Sequence, residues 1–222
     1  MCGGGGVAGG EWLIRQLEHD PPPTTAKLWV GTSAGAAVAA LAAGVGVGSD
    51  VWQEVTGHLL SSVDRKVWGY GEAVEQTAET LDRVLGRWPQ GLVVATVEVA
   101  GVKPRRVFLD ATSGVSVGEA VRRSAALVPF VRPRFDSGRM WLDGGVWSST
   151  SADRLCGEVG GGDTVRILAP LAGDCPWWGW GVGRFARVQL AREMCALRKS
   201  GAEVDVRVPC GEEARQVWAV WA

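Results

Sequence analysis

Histidine is almost missing from this chain, with only His19 and His58 among 222 residues. Charge of one sign is missing too: 23 Lys and Arg stand against 24 Asp and Glu, a net charge of −1. That balance gives no general attraction to nucleic acid or to an anionic membrane. The five cysteines (Cys2, Cys156, Cys175, Cys195, Cys210) are odd in number, scattered and never spaced C-x-x-C, which argues against both a disulfide framework and a zinc site. They read as reduced thiols in a cytoplasmic protein. The first residues lack a basic stretch followed by an apolar one, so no secretory signal is read. The longest weakly polar run, residues 34–48, is short for a membrane span and broken by glycine, so no transmembrane segment is expected.

What the chain has in quantity is glycine, with 32 residues, and tryptophan, with 12. Short apolar runs alternate with helical patterns along its whole length. Residues 11–20 place Trp12, Leu13, Ile14 and Leu17 on one side of a helix that Pro21-Pro22-Pro23 ends. Residues 28–30 read as a buried strand, and 34–43 as an Ala-rich helix. Helices are expected over 51–60 and 72–85, and residues 61–71 read as less regular. A Val-rich strand covers 92–99, with a hairpin partner at 106–109. Ser116 and Glu119 have capping-box spacing ahead of a helix reaching residue 126. Residues 128–134 read as a Pro-punctuated loop, and 140–142 as a short strand. The remainder alternates strand 164–168, helix 185–199, strand 204–208 and helix 212–220. This order predicts one α/β domain over residues 1–222, with a mostly parallel central sheet covered by helices on both faces.

Between the strand at 28–30 and its helix lies Gly31-Thr32-Ser33-Ala34-Gly35, which fits G-x-S-x-G. The pattern describes a sharp strand-to-helix turn with a serine at its apex, where Gly31 and Gly35 remove Cβ atoms that would collide. The helix aims its positive end at Ser33, favouring the oxyanion of acyl transfer. Gly3-Gly4-Gly5-Gly6 is suited to converging backbone N–H groups on that anion. A base is also required. An α/β-hydrolase triad runs Ser, acid, His, and no histidine follows Asp143, so either a carboxylate acts alone as base or the chain is no hydrolase. Asp143, ending a short strand and followed by Gly144-Gly145, lies where ligands of open α/β sheets bind. The plainer readings are a Gly/Ser-rich turn for the pentapeptide and a turn or cap residue for Asp143.

Taken in order, Gly3 to Gly9, Gly31-Thr32-Ser33-Ala34-Gly35 and Asp143-Gly144-Gly145 resemble the patatin-like phospholipase family. The run Arg122 to Phe130 is similar to that family's small-residue helix end and proline loop ahead of the aspartate motif. The resemblance implies a three-layer fold, a Ser33–Asp143 dyad and an oxyanion hole at Gly4, Gly5 and Gly6. It implies hydrolysis of a lipid or other acyl ester without cofactor or metal. Two departures stand out. Many members carry Lys or Arg where this chain has Ala8, and a strand precedes the glycine loop where this chain has only Met1-Cys2. A sheet short of its first strand is therefore expected.

Three other readings compete. Gly4-x-Gly6-x-x-Gly9 fits the dinucleotide fingerprint, but neither a preceding strand nor an acidic end to the next strand is read. A Walker A loop fails for want of Gly-Lys-Ser/Thr. A non-catalytic relative, binding or scaffolding on the same fold, remains the alternative to an enzyme. Trp177, Trp178 and Trp180 read either as a loop folded on the core or as a lip touching a lipid surface. Arg105-Arg106 and Arg122-Arg123 read as solvated faces, and Trp218 and Trp221 as packing for the last helix.

Overall fold

The computed structural model describes residues 1–3, 9–63 and 69–219. Its strands are β1 (Cys2–Gly3), β2 (Trp29–Thr32), β3 (Leu92–Ala100), β4 (Lys103–Leu109), β5 (Arg134–Asp136), β6 (Arg139–Asp143), β7 (Thr164–Leu168) and β8 (Glu203–Arg207). Its helices are α1 (Gly9–His19), α2 (Ala34–Val45), α3 (Asp50–Val63), α4 (Tyr70–Leu85), α5 (Val117–Ser124), α6 (Trp180–Lys199) and α7 (Gly211–Ala219).

All eight strands join one sheet in the order β5-β6-β3-β2-β1-β7-β8, with β4 also on β3. The sheet is mixed rather than mostly parallel. The pairs β1–β2, β1–β7, β2–β3 and β7–β8 are parallel, while β3–β4, β3–β6 and β5–β6 are antiparallel. Tight turns force the difference: Gly101 (φ 68°) and Gly138 (φ 75°) close hairpins that can only return antiparallel. The first strand is present, contrary to expectation. Cys2 and Gly3 pair with Val30 and Gly31 on one side and with Ile167 and Leu168 on the other. Two residues suffice because both neighbours supply ladder partners.

Alternation along the strands divides the core. Trp29, Leu92, Val94 and Leu168 face a cluster built with α1, α2, α4 and α5. Val30, Val93, Val165 and Ile167 face the other way, onto Ala186, Leu190 and Leu197 of α6. Helices therefore cover both faces, as alternation of the side chains requires. Helix α2 is buried nearly all round, which its small alanines permit. Helix α4 turns Val74, Ala78 and Leu81 inward and ends at left-handed Gly86. In α5 the Ser116 hydroxyl accepts from the Glu119 N–H at 3.1 Å, and Asp82 of α4 accepts from the Gly118 N–H at 2.7 Å.

Several boundaries move. Helix α5 ends at Ser124, α6 starts at Trp180, and β5 occupies the end of the expected proline loop. Strand β5 carries no readable period because Phe135 is its one apolar residue. The arginine pairs are not simply solvated. Arg106 makes a two-point ion pair with Asp153, Arg122 pairs with Glu75, and buried Arg123 binds Glu119 and lies over the Trp141 ring at 4.5 Å. Arg105 of β4 and Arg139 of β6 flank Glu98, which is fully buried on β3. Trp218 packs the last helix as expected, and Trp221 lies outside the described residues.

Candidate active site

The site is assembled at one point on β3. Strand β4 takes one edge of β3 from Val94 to Ala100, so β2 and β6 must share the other. Strand β2 runs parallel to β3 and ends with Thr32 opposite Ala95. Strand β6 runs antiparallel and ends with Asp143 opposite Thr96. The two strands thus meet head-on, and the residue leaving β2 meets the residue ending β6. Ser33 Oγ donates to Asp143 Oδ2 at 2.7 Å, with both residues almost wholly buried.

The turn is as sharp as the pentapeptide implies. Ser33 has φ 55° and ψ −126°, a conformation that L side chains rarely adopt and that costs on the order of 1–3 kcal/mol. The Ser124 hydroxyl holds it, accepting from the Ser33 N–H at 2.8 Å and donating to the Ala95 carbonyl at 2.6 Å. Gly31 is required by close approach: a Cβ there would sit 2.4 Å from the Ala36 Cα and 2.7 Å from the Gly35 carbonyl oxygen. That carbonyl also lies against Gly3, where a Cβ would be 3.6 Å from it.

Asp143 is fixed at both ends. Its N–H donates to the Ala126 carbonyl at 3.0 Å, and its Oδ1 accepts from the Gly145 N–H at 2.6 Å. Gly144 leaves room for the turn, since a Cβ would come within 2.4 Å of the Ala95 carbonyl oxygen. Burial pushes the Asp143 carboxyl up to about 6, against the Ser33 and Gly145 hydrogen bonds, which favour the charged form. A carboxyl in that range takes and returns protons near neutral pH. Beside it, the Tyr70 hydroxyl lies 3.5 Å from Ser33 Oγ. Burial first, then the Asp143 charge, holds that phenol above its ordinary value, so it stays protonated.

The structure therefore brings together Ser33, Asp143, Gly31, Gly35, Gly144 and Gly145. Gly4, Gly5 and Gly6, expected as oxyanion donors, lie outside the described residues, as does Ala8. His19 is exposed at the end of α1, and the His58 side chain lies outside the described residues. Ser124 and Tyr70 were not legible as site residues. Ser124 falls inside the run Arg122 to Phe130 but carries no motif of its own, and Tyr70 reaches Ser33 only through folding. The strand Cys2–Gly3 restores one feature of a dinucleotide site, but β2 ends in Thr32 without the carboxylate such a site needs. Among the described residues no group of three or more His, Cys, Asp or Glu could hold a metal ion. No protein-family model matches the chain, and no curated protein matches it.

Trp177, Trp178 and Trp180 do not fold onto the core. Trp177 is 88% exposed, and the other two are also exposed. Trp178 keeps one inward contact, meeting Trp218 edge-on with centroids 5.7 Å apart.

Proposed function

We propose that this chain is a serine acyl hydrolase of patatin-like type, cleaving the carboxylic ester of a lipid or similar acyl substrate. One observation carries the reading: a serine at a strained strand-to-helix turn donates directly to a buried carboxylate whose pKa lies near 6. A plain Gly/Ser-rich turn has no reason to keep left-handed serine against buried charge. Asp143 takes the Ser33 proton as Oγ bonds to the acyl carbon and the carbonyl oxygen becomes the oxyanion. Collapse breaks the bond to the leaving alcohol, which receives the proton from Asp143. Water then enters by the same steps, giving free acid and free Ser33. Neither a metal nor an organic cofactor is called for. Gly4, Gly5 and Gly6 remain the proposed backbone donors.

A lipid surface is the proposed setting. Trp177, Trp178, Trp180, Val182, Phe185 and Val188 are exposed on the turn ahead of α6 and along its first half. The outward residues of α6 include Arg184, Arg192, Arg198 and Lys199, while its one acid, Glu193, is buried. An indole ring beside cations on one helix, with two more on the turn leading into it, suits the interface of an anionic membrane. No helix among the described residues is long and apolar enough to cross a membrane. A cytoplasmic setting is proposed from the free thiols of Cys156, Cys175, Cys195 and Cys210.

The test is labelling by a fluorophosphonate probe together with hydrolysis of short and long p-nitrophenyl esters, for wild type, Ser33→Ala and Asp143→Asn. Turnover and label in wild type, with both variants at background, are expected. An inert, unlabelled wild type would leave a binding or scaffold protein on this fold.

A further inference from the structure

Tyr70 opens α4, and its ring packs with Val74, Ala125, Val131 and Phe130. Phenylalanine would fill that space equally well, so the hydroxyl needs its own explanation. A buried hydroxyl without a good partner is costly. Among the described residues its partner is Ser33 Oγ at 3.5 Å, near the limit of a hydrogen bond. Ser33 has one hydroxyl proton and gives it to Asp143 at 2.7 Å, so in this pair Tyr70 must be the donor. The resting state thus holds a neutral donor, rigidly packed, beside the nucleophile and poorly satisfied. Such a group gains its best acceptor only when negative charge develops within its reach, the condition under which binding energy accelerates a reaction.

We propose that Tyr70 is a catalytic hydrogen-bond donor whose hydroxyl binds the substrate's carbonyl oxygen as that oxygen becomes the oxyanion. The inference rests on Ser33 being the nucleophile. Once Oγ bonds to the acyl carbon, the oxyanion is separated from Oγ by that one carbon, within reach of a hydroxyl poised beside Oγ. Tyr70 transfers no proton: the Ser33 proton goes to Asp143 and then to the leaving alcohol. The phenol only shortens its hydrogen bond as charge appears and lengthens it as charge leaves. In a site this dry, such a bond is stronger than in water.

The experiment compares wild type with Tyr70→Phe. Removing one oxyanion donor lowers turnover by about 10²-fold or more, so kcat/KM is expected to fall by that factor for p-nitrophenyl and ethyl esters alike. The Ki of a trifluoromethyl ketone, which forms a charged hemiketal with Ser33, is expected to weaken in parallel. KM and the pH midpoint set by Asp143 should stay put. An unchanged Ki overturns the proposal, and so does a loss confined to the ethyl ester, which would place the phenol at the leaving group.

Tyr70 is the one tyrosine of the chain, so growth on 3-fluorotyrosine replaces this phenol alone, and the test survives a Phe variant that does not fold. Its fluorine resonance is expected to shift when the phosphonate adduct forms on Ser33 and not when the probe meets Ser33→Ala. An unmoved resonance overturns the proposal. Labelled wild type without Tyr70 dependence removes Tyr70 and leaves the hydrolase, whereas unlabelled wild type removes both.

Discussion

In the proposed mechanism Asp143 has to be charged to act as a base, yet it is only 2% exposed. Its raised pKa records that conflict, and it can be measured in two ways. Because the base must be ionised, kcat/KM is expected to rise with pH and reach half its plateau at about 6. Stability runs the other way. The folded state holds the Asp143 proton more tightly than the unfolded chain, whose value is near 3.8. Between those values the folded state binds more protons, so stability falls as pH rises towards 6 and is level above it. The gap of about two pKa units corresponds to about 3 kcal/mol. Asp143→Asn keeps an acceptor for the Gly145 N–H and removes the charge. It should therefore be inactive but more stable than wild type at pH 8, by up to about 3 kcal/mol, with the advantage shrinking towards pH 4. Urea unfolding across that range checks it; a variant less stable at pH 8 would contradict the assignment. At Gly31 no such exchange is available. Gly31→Ala would press a methyl into the Ala36 backbone and is expected to cost about 3 kcal/mol or more, read as a lost or lowered melting transition.

At the scale of elements, the site depends on two strands sharing one edge of β3 and on what braces the chain beyond Asp143. That segment is tied to α6 by Glu193, which accepts from the Ser148 and Thr150 hydroxyls and from the Ala152 N–H at 3.0 Å. Burial raises the Glu193 pKa, while the two hydroxyls and the amide favour its charge. Glu193→Ala leaves those three donors buried without an acceptor and should destabilise the fold by about 3 kcal/mol. Glu193→Gln, which still accepts, should recover part of it. Equal losses in the two variants, measured by chemical unfolding, would show that both carboxylate oxygens are needed as acceptors, since Gln keeps the packing. The antiparallel hairpins have a matching role: β4 fills one edge of β3, and the β5–β6 hairpin delivers Asp143 along the other.

For the whole molecule, a net charge of −1 conceals an uneven surface. The outward face of α6 carries cations and exposed Trp180, while its one acid faces inward. Binding to vesicles containing anionic lipid is expected to exceed binding to neutral vesicles and to weaken with salt. Trp177→Ser with Trp180→Ser should reduce that binding without changing hydrolysis of a water-soluble ester. Trp178 is left in place because it packs on Trp218. Binding untouched by the double variant, in a cosedimentation assay, would exclude the tryptophan lip.

The sequence alone determined what is local. Gly31-Thr32-Ser33-Ala34-Gly35 specified the turn because its sterics depend on neighbouring residues. The periodic spacing of Val74, Ala78 and Leu81 specified an amphipathic helix, and Thr164–Leu168 a strand, for the same reason. The near absence of histidine after Ser33 pointed to a lone carboxylate. What lies far apart in the chain was decided only by tertiary structure. Strand direction depends on which edges remain free, so a nominally parallel pattern became a mixed sheet, and a two-residue β1 survived between two partners. Four arginines that looked solvated found carboxylates or an indole ring across the fold. Ser33 and Asp143 meet across 110 residues of chain, and Tyr70 reaches Ser33 across 37. No local pattern encodes such meetings: the first is fixed by β2 and β6 ending head-on along a shared strand, the second by Tyr70 of α4 packing with Ala125 and Val131.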